Sequence, residues 1–315
     1  MTQVPYLFCY LAFGTFAVAV VTRVVLWSRL PMHVRWELYP IPSVPPDKAA
    51  YGGSFMEQSD WWTKPRRGSY WGQLKAVAVE LVLLASVRQH NKALWIRTFP
   101  FHLGLYLAGG GVALALSSGA VRAWAPGFLS VGAAEALRIA VAVLGVTGLT
   151  LGMLGALALL ERRLTENALR RATRPGDLFN LVFFVLAFGS ALATFVLVDG
   201  DARGAVDFAA NLSSFNMAAL PGTGVAAVLP LASTMLLSGL IAYIPLTHMS
   251  HFIAKYFAYH AIRWNDSPNL PGGRDELVIQ ELLGRRLTWA AEHIRGGGVK
   301  TWGDAALENP AKSKP

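Results

Sequence analysis

The stretch FPFHLGLYLAGGGVALAL, residues 99–116, decides how this chain is read. It is apolar enough to open a membrane span, yet it holds one histidine, His102, and three consecutive glycines, Gly109, Gly110 and Gly111. An imidazole in a hydrocarbon setting is costly and seldom stands without a partner. Whether the rest of the chain is membrane-bound, and what His102 binds, are the two questions this stretch raises.

The 315 residues are 54% hydrophobic and only 15% charged, and the mean hydropathy is +0.40. That balance suits a polytopic membrane protein and not a soluble globule of this size. Apolar runs near the roughly 20 residues needed to cross a bilayer fall at residues 4–27, 98–118, 133–160, 178–198 and 223–254. The first is too long for a signal-peptide core, carries Arg23 near its far end and lacks a small-residue cleavage site, so it reads as a retained helix. Lys and Arg number ten in residues 28–97, five in 161–177 and nine after Ala254. The other two links carry only Arg122 and Arg203. By the positive-inside rule the basic segments are cytoplasmic, with the N-terminus outside and the C-terminus inside. The expected fold is an all-α integral membrane bundle of five transmembrane helices, set in the cell's inner membrane, with a long cytoplasmic first loop and a cytoplasmic C-terminal tail. The net charge of +9 is accounted for by this asymmetry, and no nucleic acid is needed to explain it.

Residues 1–264 are expected to form the membrane domain, with loop 28–97 inside it, and 265–315 the tail. The first part of the loop is rich in Pro, Gly and aromatics and reads as irregular. Its second part, GQLKAVAVELVLLASVRQHNKALW (72–95), has apolar residues at helical spacing among charges, as in a helix lying on the membrane surface. Support for a docked partner is an equally good reading of it. After the fifth span HFIAKYFAYHAIRWND (251–266) continues helical, SPNLPGG breaks it, and RDELVIQELLGRRLTWAAEHIR (274–295) reads as an amphipathic helix. Cys9 is the single cysteine, so iron–sulfur chemistry, structural zinc and covalent haem attachment would need another subunit.

Seven histidines occur, at 33, 90, 102, 248, 251, 260 and 293, and three of them fall within spans: His102, His248 and His251. On the antiparallel second and fifth spans, His102 and His251 lie at similar depth at a rise of ~1.5 Å per residue. Facing imidazoles from antiparallel helices are a common cradle for b-type haem. A lone histidine bonded to a backbone carbonyl is the plainer reading. The glycines after His102 fit tight helix packing or room for a flat macrocycle.

The layout, with FHLGLYL opening the second span and YIPLTHMSHF closing the fifth, resembles the gamma subunit of respiratory nitrate reductase, a quinol-oxidising membrane cytochrome b. The loop motifs LPMHVRWELYPIP (30–42) and GGSFMEQSDWWTKPR (52–66) look closer to the cytochrome b subunits of transmembrane redox complexes in sulfur-metabolising bacteria. The similarity runs to about Trp264. It implies that His102 and His251 are the axial ligands of one cytoplasmic-side haem b, Pro245 matching the family's proline. A second, outer pair would fall on Val112 and Ser233, neither of which ligates iron in the expected way, so one haem is expected. The resemblance also implies menaquinone or ubiquinone as substrate and a cytoplasmic iron–sulfur partner related to heterodisulfide reductase. Further membrane subunits and haem c subunits are compatible with it. Arg23, Arg97 and Lys255 are placed to offset haem propionates, although basic residues at inner helix ends also snorkel. His248 takes the place of a basic residue of the family pattern; quinone binding or proton handling, iron ligation, a propionate contact and a surface cap are its alternatives. The expected function is electron transfer between the quinone pool and that partner, as the quinone-reactive subunit of an oxidoreductase. A haem-free anchor or scaffold subunit is the alternative. A small-solute transporter is disfavoured, since Glu135 is the one acidic residue in a span.

Overall fold

A computed structural model describes residues 3–29, 42, 44–65, 68–218, 222–264, 268–291 and 297–308. Among them the regular elements are helical, apart from one isolated antiparallel bridge between Arg286 and Thr301. In chain order the α-helices are α1 (Val4–Ser28), α2 (Pro46–Ala49), α3 (Tyr70–Leu83), α4 (Ala85–His90), α5 (Lys92–Trp124), α6 (Val131–Thr165), α7 (Asn167–Ala172), α8 (Pro175–Leu197), α9 (Arg203–Ser213), α10 (Val225–Tyr243), α11 (His251–Phe257), α12 (Arg274–Leu283) and α13 (Trp302–Leu307). Five of them, α1, α5, α6, α8 and α10, are long and apolar enough to cross a membrane. The chain is an all-α, multi-pass membrane protein.

The helices reach past the apolar windows because their ends are capped. Asn91 accepts from the Leu94 amide and starts α5, six residues ahead of the apolar run. Ser130 does the same for α6 through Ala133. Such caps satisfy amides that the first turn of a helix leaves unbonded.

The described residues divide into two compact units, Met1–Val20 with Val77–Ser250, and Val21–Ala76 with His251–Pro315. In the first, α5 and α6 meet backbone to backbone. A Cβ built on Gly104 would stand 2.5 Å from the Gly152 Cα, and one on Gly148 2.9 Å from the Ala108 Cα. Lipid tails are as apolar as leucine, so close contact of this kind, and not hydrophobic burial, holds spans together. Gly109 and Gly110 face open space. Below the seam an aromatic core forms from Phe101, Phe184 and Phe188 with Leu181 and Leu240. Helix α8 joins α10 through Tyr243, whose hydroxyl donates to Asn180 at 2.8 Å, and through Thr194, which donates to Ser233 at 3.1 Å. Helix α1 is tied in by side chains near its start: Tyr6 stacks on Phe208, Tyr10 donates to the Leu212 carbonyl, and the Cys9 thiol lies 3.1 Å from the Ser238 hydroxyl.

Three sequence expectations are corrected and one further helix, α9, is added. The fifth span is not continuous to Ala254: α10 stops at Tyr243, and short turns at Ile244–Leu246 and His248–Ser250 follow around buried Pro245. Proline lacks the amide a continuing helix needs. The surface helix of the first loop is broken at Leu84, whose φ of 49° is left-handed. The break is held because the Glu80 carboxylate accepts both the Ser86 amide and hydroxyl, each at 2.8 Å. The link between the fourth and fifth spans contains α9, with Ala209, Ala210 and Leu212 buried; Gly119 lets it touch α5, a Cβ there falling 2.6 Å from the Ala210 amide. The tail helix ends at Leu283, because Leu287 is buried in extended chain that bonds back to Lys300.

In the second unit the end of α1 meets α11: Arg23 lies over Trp27, and Trp27 stands edge-on to Phe257. Helix α11 passes into a π-turn, Ala258–Arg263, bearing out the helical continuation. The loop is irregular as expected, with single turns at Phe55–Glu57 and Trp61–Thr63. Ser54 and Glu57 cap the first of these reciprocally. Most of the 30–42 motif, with His33, lies outside the described residues, as does His293.

Candidate functional site

His102 sits on the face of α5 next to the aromatic core. Its neighbour Phe101 is buried against Phe184, with ring centroids 4.9 Å apart, so His102, one residue on and half-buried, is turned about 100° away from the core. The His102 Nδ1 lies 2.8 Å from the Thr98 carbonyl and 3.2 Å from the Thr98 hydroxyl. A carbonyl only accepts, so Nδ1 carries the proton, and in the neutral ring the lone pair is then on Nε2. The plainer partner for His102 is therefore present, and it engages the nitrogen that iron would not use. An imidazole that ligates metal has its other ring N–H fixed in the same way.

The same face of α5 holds the end of α3. The Trp95 indole donates to the Leu83 carbonyl at 2.8 Å, and the Tyr106 hydroxyl to the Leu81 carbonyl at 2.9 Å. Residues 95, 102 and 106 share one stripe at helical spacing. The aromatic spacing was visible in the sequence, but its target, two helix-end carbonyls, was not. Tyr106→Phe removes one of these bonds, at about 1 kcal/mol. Amide exchange over residues 77–83 is expected to quicken about fivefold, and unchanged exchange would mean that the bond holds nothing.

The remaining candidates fall into two groups. Arg97 and His248 share the first unit with His102. Arg97 reaches Glu161 of α6 at 3.6 Å and bonds the Ala93 carbonyl. His248 is exposed in the turn after Pro245, a turn closed by Ser250 donating to the Thr247 carbonyl. His251, Lys255 and Arg23 belong to the second unit. His251 opens α11, exposed, and Lys255 lies one turn along it.

No family model, curated protein or solved structure matches this chain. Its site is argued from its own residues. Val112 is 41% exposed on α5, whereas Ser233 is buried and bonded to Thr194 and the Pro230 carbonyl. Ser233 is thus spent on joining α8 to α10. Among the described residues no three His, Cys, Asp or Glu side chains gather as a metal-ion cage.

Proposed function

We propose that this chain is the haem b membrane subunit of a respiratory redox complex, passing electrons between the quinone pool and a cytoplasmic iron–sulfur partner. The observation that carries the reading is the Nδ1 bond of His102 to the Thr98 carbonyl, the kind of bond that fixes the ring of a metal-ligating imidazole. His251, at matching depth when counted along the sequence, is the proposed second ligand. Bound haem b would supply one-electron chemistry that no side chain here offers.

The chain's own residues do the rest. Thr98 fixes the tautomer and angle of the His102 ring. Arg23 and Lys255, in the same unit as His251, offer cations to carboxylates; Arg97 is already paired with Glu161. His248, exposed in its turn, is proposed to exchange protons with cytoplasmic water as quinone reacts nearby. Parts of the second and fifth spans and residues 80–90 are proposed to line the quinone pocket, where Glu80 acts as a structural cap. The basic loop 28–97 and the tail are proposed to dock the iron–sulfur subunit, with the N-terminus outside. This reading places the chain beside the nitrate reductase gamma subunits, with one haem in place of two because Val112 and Ser233 stand at the outer positions.

A haem assay with a pyridine haemochrome spectrum on the purified chain tests it. One haem b per chain is expected. Two would remove the single-haem reading. None would favour the haem-free scaffold, which the carbonyl bond also suits, since it satisfies Nδ1 of His102 without iron.

A further inference from the structure

At the end of α5 and α6 opposite the 161–177 link, α5, α6 and α9 enclose a cleft of about 580 Å³. Val121, Ala125, Leu129 and Val206 give it an apolar wall. Its rim carries ion pairs. Arg122 meets Asp207 at 2.6 Å, Arg203 meets Asp201 at 2.8 Å, and Arg138 bonds both Glu135 and Asp201. Arg122, Arg138 and Arg203 line the cleft with Glu135 and Asp207, and Asp201 beside it pairs with Arg138 and Arg203, so the ion-paired set balances three guanidinium groups against three carboxylates. Arg122 and Asp207 each remain about half exposed despite their contact. Beside the cleft, Trp124 and Phe128 are 70% and 78% exposed, and Trp124 donates to the Ser213 carbonyl at the end of α9. Exposed aromatics at the end of a span mark the headgroup level of a bilayer.

We propose that this cleft binds a zwitterionic phospholipid headgroup, a phosphate joined to a primary ammonium. A neutral rim offers little attraction to a purely anionic lipid. It does offer guanidinium N–H groups to a phosphate and, within the same cleft, carboxylate oxygens of Glu135 and Asp207 to an ammonium. The apolar wall takes the glycerol and the first acyl carbons. A quaternary ammonium has no N–H to donate and loses the carboxylate contacts. The proposal is independent of the haem reading.

Native mass spectrometry of the full chain, titrated with phosphatidylethanolamine, phosphatidylcholine and phosphatidylglycerol of identical acyl chains, tests it without any substitution. Phosphatidylethanolamine is expected to bind about threefold more tightly than either of the others, the scale of an exposed ion pair. Preference for phosphatidylglycerol, or equal binding of all three, overturns the proposal. In the Glu135→Gln, Asp207→Asn double variant, checked for unchanged helix content, phosphatidylethanolamine should fall to the phosphatidylcholine level. A preference that survives the double variant also overturns it.

Discussion

On the proposed haem reading, His102→Ala and His251→Ala are each expected to abolish the low-spin spectrum. Two strong-field imidazoles would saturate a bound haem iron, so losing one would leave a high-spin centre or no haem. The loss at His102 should be the more informative, because that ring lies on a helix otherwise anchored by the α5–α6 seam and the aromatic core. His102→Gly keeps the backbone and opens a hole of imidazole size, so added imidazole should restore the low-spin bands in a folded protein. His248→Ala should keep the spectrum and slow quinone turnover. A spectrum unchanged in His102→Ala would sink the assignment, and loss of haem in His248→Ala would move the ligand to that turn.

Gly104→Leu is expected to cost about 3 kcal/mol or more, at the upper end of overpacking penalties, because its side chain would enter the backbone of α6 and not a deformable side chain. The measurement is the unfolding midpoint in a denaturing detergent, with monodispersity as a second readout. Gly110→Leu is the matched control: one turn and a half along the same helix it meets open space and should change the midpoint by less than about 1 kcal/mol. Equal effects at the two positions would falsify the seam.

The spans were legible because hydropathy is a sum over many residues and survives local errors. Their ends were not, since Asn91 and Ser130 act through single bonds to the backbone. Pro245 was visible in the sequence, but Ile244 and Leu246 kept the apolar run unbroken and hid the end of α10. Helix α9 was missed for the opposite reason: Ala209 and Ala210 are too small to announce a buried face, and only contact with Gly119 makes them one. The glycines after His102 were read as either seam or cofactor space. Gly104 and Gly111 belong to the seam, while Gly109 and Gly110 do not. At the candidate site the histidines could be found by position, but the Thr98 carbonyl could not, because every helical residue has a carbonyl four places back.

Helix α1 is held by distant parts of the chain. Its side-chain bonds reach Leu212 and Ser238, 202 and 229 residues further along, whereas α5 and α6 are neighbours in sequence and close on one another across a short turn. Local contacts form early and distant ones wait for the chain that supplies them. The side-chain bonds of α1 therefore close only once α9 and α10 are present. That dependence fits the plain Val, Leu, Ala and Phe that make up most of α1, because a span whose backbone is bonded internally is stable in a bilayer without partners. It also marks Tyr6, Cys9 and Tyr10, all near its start, as the latch that closes the bundle.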